Sequence, residues 1–344
     1  MSLLTGSGHG PPLARRDGIA RGYLPVVAGV GSLALGPVLA GGSRYLLGVG
    51  TLMLVLMTYA VAFNVAFGGT GQLLLAIGAF GAVSGYTTVL LPSRLAWPVA
   101  LALAVGVVVA GLFAAALSWI AVRRRLDTIF VGVVTLTSSL VVHNLLLGNR
   151  ELTGGETGLV VAAGSGSALR DPVFGYYALL AVLTVGLVGH RAIQRSALGW
   201  ASRALRDDPD AAALAGVDVA RTKVLAATFA GTLAGLAGGL FALVEGFISP
   251  TTYAFATVDV RVIVVVAFGG LGTLLGPLVG GAAVIVLDEL LRPLGQLRLA
   301  VYGVALLVLF LGLPRGVVPA WLLVWRRWRP RRTRPDADER TSAR

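Results

Sequence analysis

The chain has 344 residues, of which 56% are hydrophobic and 13% charged, with no cysteine and a formal net charge of +12. Mean hydropathy is +0.84. This composition excludes a soluble globular domain, and the missing cysteine excludes disulfides and thiolate metal sites. The positive charge is nearly all arginine in loops and tails, with Lys223 the single lysine; that distribution fits a positive-inside membrane topology rather than a basic nucleic-acid-binding face.

In chain order, residues 1–22 form a polar tail carrying Arg15, Arg16 and Arg21. It is not a removable signal, because its following apolar stretch is one of many. Apolar spans are expected at 24–41, 45–64, 72–91, 96–122, 129–147, 173–190, 223–247 and 298–318, with a more complex segment at 260–288. Most approach the roughly 20 residues needed to cross a hydrocarbon core of about 30 Å. The expected fold is an all-α, polytopic integral membrane bundle of about 8–10 transmembrane segments, one pair broken or re-entrant. Its 47 glycines suit helices packed through small residues. The organisation is a cytoplasmic tail (1–22), a transmembrane domain (23–322) and a basic cytoplasmic tail (323–344).

Charge orients the spans. Arg15, Arg16 and Arg21, then Arg123, Arg124 and Arg125, then the loop 195–223 all fall on one side by simple alternation. That side is expected to be cytoplasmic, and the polar loop 148–172 external. Residues 326–344 hold eight arginines against three acids, so the C-terminal tail is expected inside as well. Parity then requires 260–288 to enter and leave from the same side. Phe268-Gly-Gly-Leu-Gly-Thr-Leu-Leu-Gly-Pro277 supplies the break: four glycines and a proline disfavour a continuous helix. Non-helical backbone at that depth requires surrounding protein or a water-filled cavity.

An internal echo accompanies the break. Phe67-Gly-Gly-Thr-Gly-Gln-Leu-Leu74 matches Phe268-Gly-Gly-Leu-Gly-Thr-Leu-Leu275 at six of eight positions. Glycine-interrupted spans in two halves point to a transporter's central site. Asn64, Thr70, Gln72, Gly269, Gly270 and Gly272 are therefore the candidates for the translocation path. Asn64 and Gln72 are amides that are costly to place against lipid. Thr135, Thr137, Ser138, Ser139 and Asn144 are further polar residues in the spans, and hydroxyls there commonly bond to their own helix.

The chain has no visible energy source. Lys223 follows Thr222 instead of preceding a Ser or Thr, so no P-loop is present. The spans are nearly free of acids; Glu245, Asp259 and Asp288 lie near expected span ends, where interfacial solvation accounts for them. His143, beside Asn144, reads as a helix–helix hydrogen-bonding residue. No zinc-protease motif occurs, and Ser165 and Ser167 lie in a stretch that reads as flexible linker. Neither an enzyme activity nor a metal site is expected. Energy is expected from another protein, with a self-contained secondary transporter or channel as the alternative.

The loop 195–223 is the one long charged segment between spans. Asp208 and Pro209 supply capping chemistry for a short helix over 210–216 that Gly216 can stop. A short helix on the inner face suits docking of a soluble partner. Ala211, Ala212, Ala213 and Leu214 would form its apolar centre, and Arg203, Arg206, Asp207 and Asp208 its rim.

Over residues 50–318 the chain resembles the LivM-type permease subunit of branched-chain amino acid ABC importers. The resemblance rests on Ser196-Ala-Leu-Gly-Trp-Ala-Ser-Arg-Ala-Leu-Arg-Asp-Asp-Pro-Asp-Ala-Ala212 and Ala215-Gly-Val-Asp-Val-Ala-Arg-Thr-Lys223. It also rests on Gly231-Thr-Leu-Ala-Gly-Leu-Ala-Gly-Gly-Leu-Phe-Ala242, the motif at 268–277, Leu152-Thr-Gly-Gly-Glu-Thr-Gly-Leu159 and Gly312-Leu-Pro-Arg-Gly316. Leu74, Ala76 and Ile77 depart from the family's serine, glycine and histidine in the first glycine motif, while Gly71, Gln72, Leu73, Leu75 and Gly78 keep it. The resemblance implies a multi-pass protein of a bacterial inner (plasma) membrane. It implies a second, LivH-like permease subunit, two ABC ATPase subunits that bind ATP, and an extracytoplasmic substrate-binding protein. It also implies that 195–223 is the loop that docks the ATPase, with no cofactor in this chain and no nucleic acid. Substrates of such relatives include branched-chain amino acids, urea and short amides.

Overall fold

The computed structural model describes residues 17–161 and 167–295, together with 297, 301, 303, 304, 307 and 316–318. Most of the expected span 298–318, the tails at 1–16 and 323–344, and Ser165 lie outside the described residues. Helix α1 runs Asp17–Ala34, followed by the short α2, Gly36–Leu39. Helix α3, Arg44–Phe63, continues as a π-helical turn over Asn64–Gly69. Then come α4 (Ile77–Leu95), α5 (Val99–Arg123), α6 (Thr128–Gly148), the short α7 (Arg150–Thr153), α8 (Pro172–Arg195), α9 (Ala197–Asp207) and α10 (Pro209–Leu214). Helices α11 (Val219–Glu245), α12 (Asp259–Gly269) and α13 (Gly276–Leu290) complete the described helices. Among the described residues, five helices are long and apolar enough to cross a membrane: Arg44–Gly69, Val99–Arg123, Thr128–Gly148, Pro172–Arg195 and Val219–Glu245. The chain is an all-α, multi-pass integral membrane bundle.

Local chemistry sets the helix ends. Asp171 precedes Pro172 and accepts from the Val173 and Phe174 amides, starting α8. Asp218 caps α11 through the Arg221 amide at 2.9 Å, and Gly246, with φ +69°, ends it. Small residues let α11 lie against α4 and α5. A Cβ on Gly238 would stand 2.5 Å from Gly81 Cα, and one on Gly231 2.8 Å from the Ala110 carbonyl. Close backbone approach replaces the hydrophobic drive that lipid does not supply.

The bundle has two distinct ends. One, the basic end, carries Arg123, Arg124, Arg125 and the α9–α10 loop. The opposite end carries residues 149–171, where β1 (Leu159–Val160) pairs antiparallel with β2 (Phe247–Ile248). Helix α13 returns to that end, where Tyr45 Oη donates to Glu289. Gly316 lies back at the basic end, where a Cβ on it would stand 2.7 Å from Gly270. Segment 249–290 thus enters and leaves from the opposite end, as parity required.

The expected span 72–91 is only partly helical. Residues 71–76 are not helical, and α4 begins at Ile77. Gly71 turns the chain at φ +73°. Side chains then satisfy the backbone: Leu75 N donates to Thr135 Oγ1 at 2.9 Å and Ile77 N to Asp259 Oδ1 at 2.7 Å. Surrounding helices make this irregular stretch tolerable inside the bundle.

Candidate functional site

The two echoing glycine motifs meet. Asn64 is fully buried in the π-turn; its Oδ1 accepts from Gly272 N at 2.7 Å and its Nδ2 donates to Thr273 O at 2.8 Å. One amide therefore satisfies both a donor and an acceptor of the loop between α12 and α13. π-Turns of this kind concentrate at functional sites because the extra residue offsets the backbone ladder. Gly269, the last residue of α12, and Gly270, the first of the loop, are both buried, with Gly270 at φ +110° and Gly272 at φ +77°. A Cβ on Gly68 would stand 2.8 Å from Gly272 N, so the motifs touch backbone to backbone. Thr70 is buried and bonds back to Ala66 O at 2.8 Å.

Gln72 stands apart from that junction. It is buried; its Oε1 accepts from Ser118 Oγ at 3.0 Å and its Nε2 has no hydrogen-bond partner. It lines a cavity of about 520 Å³ at the basic end, shared with Arg125, Asp127, Asp210 and Lys223. The structure therefore joins Asn64, Gly269, Gly270 and Gly272, but places Gln72 at a second opening.

The charged loop is two helices. Asp208 caps α10, accepting from Asp210 N at 2.9 Å and Ala211 N at 3.0 Å, and Gly216 follows at φ +85°. The helix spans Pro209–Leu214, against the expected 210–216. Leu214 is 91% exposed, whereas Ala212 is 4% exposed and faces its own bundle. The accessible apolar surface is thus Leu214 with Ala211 and Ala213, not Ala212. Asp207 and Asp208 are exposed. Arg203 lies over the Trp200 ring at 4.8 Å. Arg206 reaches into the bundle, donating to Gly68 O at 2.8 Å.

Asp259 requires a correction. The sequence places it near a span end as an interfacial group, yet it is 1% exposed and accepts from Ile77 N and from Gly78 N at 3.4 Å. The irregular backbone at 71–76 brings α4's N-terminus into the bundle, and a carboxyl answers its free amides. Asp288 lies 3.9 Å from Arg261. His143 Nδ1 is 3.2 Å from Pro250 O, a contact with the turn Pro250–Tyr253 and not with a second spanning helix. Asn144 bonds back to Leu140 O. Sequence reading missed Ser118, Thr135 as a backbone donor's partner, and Asp259; only the isolated buried acid left a signal. Among the described residues, no group of three His, Cys, Asp or Glu could hold a metal.

Comparison with known proteins places this geometry. The family described as "Branched-chain amino acid transport system / permease component" matches residues 45–313. The chain is 28% identical over 307 residues to the high-affinity branched-chain amino acid transport system permease protein LivM of Escherichia coli K12, covering 80% of this chain and 71% of that one. Its counterpart in Salmonella typhimurium is equally similar over the same shares. The fructose import permease protein FrcC of Rhizobium meliloti is 35% identical over 136 residues, 38% of each chain. No solved structure matches. With the match covering both glycine motifs, the π-turn and the α9–α10 loop, the chain belongs to the family of branched-chain amino acid transport system permease components.

Proposed function

We propose that this chain is one membrane-spanning subunit of an ABC importer in a bacterial inner membrane. It moves branched-chain amino acids, or a related small polar solute, delivered by an extracytoplasmic binding protein. It pairs with a second, LivH-like permease, and two separate ATPase subunits bind and hydrolyse ATP. The basic end is cytoplasmic, and α10 with its exposed Leu214 docks the ATPase. The observation that carries this reading is the path from that loop inward: α9 lends Arg206 to the glycine junction, so movement of a docked partner reaches the broken segments of the bundle.

The test is uptake by a reconstituted complex of the chain, its sister permease, both ATPases and the binding protein. Radiolabelled leucine should accumulate only with ATP and binding protein, with urea and fructose as comparison solutes. Transport by the chain alone without ATP would favour a self-contained carrier instead.

A further inference from the structure

His190 is a buried donor on the wall of a cavity at the basic end. It lies on α8 a little over one turn before the helix ends at Arg195, and it is 4% exposed. Its tautomer follows from its neighbours. Arg191 Nη1 donates to Gln194 Oε1 at 3.2 Å, and Gln194 Nε2 lies 3.1 Å from His190 Nε2. A guanidinium only donates, so the oxygen of Gln194 faces Arg191 and its NH2 faces the imidazole. His190 Nε2 therefore accepts, and the ring proton sits on Nδ1. That N–H is buried with no hydrogen-bond partner among the described residues. Such a group is costly unless something else accepts from it.

The cavity has a volume of about 230 Å³ and lies between α8, α9 and the glycine junction. Arg203 and Arg206 of α9 line it together with His190, and Gly68 and Gly272 close it towards the junction. No residue of its lining is acidic. Ser202, also on the wall, already donates to Leu198 O at 2.7 Å. Arg206 uses Nη1 for Gly68 O, and Arg203 lies over the Trp200 ring at 4.8 Å. A guanidinium carries several N–H donors, so both arginines have donors beyond these contacts. A wall of donors without a competing acid selects an anion, and guanidinium forks match the oxygens of a phosphate.

The surroundings are of the kind found at headgroup depth. Trp200 is 72% exposed on α9, and Arg195 lies over the Tyr23 ring at 4.9 Å. Tryptophan and tyrosine gather at the membrane–water boundary, and basic pockets between spans at that level suit lipid phosphates.

We infer that this cavity binds a phosphate group, held by Arg203, Arg206 and the Nδ1–H of His190. Two sources carry that chemistry here, the headgroup of an acidic phospholipid and free phosphate, and the test separates them. A bound phosphate ties α8 to α9 beside the bond from Arg206 to Gly68, so the site acts on the arm that reaches the glycine junction. It goes beyond solute transport and takes a different ligand.

The chain has no cysteine, and Ile193 is half-buried on the same wall, so Ile193→Cys supplies a single reporter thiol. The assembled transporter is delipidated in dodecyl maltoside and chloride buffer, and labelling of this chain by a small methanethiosulfonate is followed by mass. Phosphatidylglycerol added to the micelles, or inorganic phosphate at matched ionic strength, should slow labelling at least fivefold. Diacylglycerol, which lacks the phosphate, should not. Protection by the lipid alone assigns the cavity to a headgroup, and protection by inorganic phosphate assigns it to the free ion. Arg203→Gln, at an exposed position, should cut the protection at least threefold. His190→Phe, which keeps a ring but not the donor, should do the same. Labelling indifferent to both phosphates would overturn the site, as would equal protection by diacylglycerol or protection that survives Arg203→Gln and His190→Phe together. A thiol already shielded without phosphate, and exposed by stripping the ATPase subunits, would give the cavity to a partner side chain and overturn it as well.

Discussion

Arg206 donates a 2.8 Å hydrogen bond to the carbonyl of Gly68, 138 positions upstream. The same guanidinium lies against Gly272, where an added Cβ would stand 2.5 Å from Arg206 Nη1. One side chain of the loop at the basic end thus contacts both glycine motifs at the point where they touch.

If this contact transmits motion, Arg206→Ala should uncouple the complex. ATPase subunits should still bind and hydrolyse ATP, while leucine uptake per ATP falls at least tenfold. Arg206→Lys should restore part of it, because an ammonium can reach one carbonyl but lacks the planar fork. Uptake and ATP hydrolysis measured on the same proteoliposomes decide this. An unchanged ratio in Arg206→Ala would make the bond a mere brace.

Docking is expected to depend on Leu214. Leu214→Asp places an unpaired charge on the exposed apolar tip of α10 and should prevent co-purification of the ATPase. Ala212→Asp acts differently, since Ala212 is packed inward. It should reduce the amount of folded permease first. Pull-down and size-exclusion profiles of the two variants separate the effects, and intact ATPase binding by Leu214→Asp would place docking elsewhere.

Asn64→Ala removes both bonds across the junction. Each buried partner left unsatisfied costs about 1–3 kcal/mol, so the variant should melt earlier in detergent. Asn64→Asp keeps the acceptor for Gly272 N but loses the donor to Thr273 O, and should fall between Ala and wild type. Identical melting of all three forms would mean that the clasp contributes nothing to stability.

Topology is testable with single cysteines at exposed positions of the two ends. Val160→Cys should react with an impermeant maleimide on intact cells, and Leu214→Cys only after permeabilisation. The reverse pattern would invert the bundle and place α10 on the side without ATP.

Much of the architecture was legible in the chain before any coordinates. Most span positions follow from runs of apolar residues, and the start of α10 from Asp208 and Pro209, because each depends on neighbours within the same stretch of chain. The glycines at 269–272 likewise announced that α12 and α13 are separate helices. What the sequence could not show is which distant groups meet. The Asn64 clasp on Gly272 spans 208 positions, and the Asp259 bond to Ile77 N spans 182. The pairing of Leu159 with Ile248 and the inward turn of Ala212 are of the same kind. An aspartate near a span end reads the same whether it faces headgroups or caps a helix inside the bundle. Only the packing of α12 on α3, and of the turn Pro250–Tyr253 on α4, decided that it does the latter, because packing determines which unsatisfied backbone groups lie within reach of which side chains.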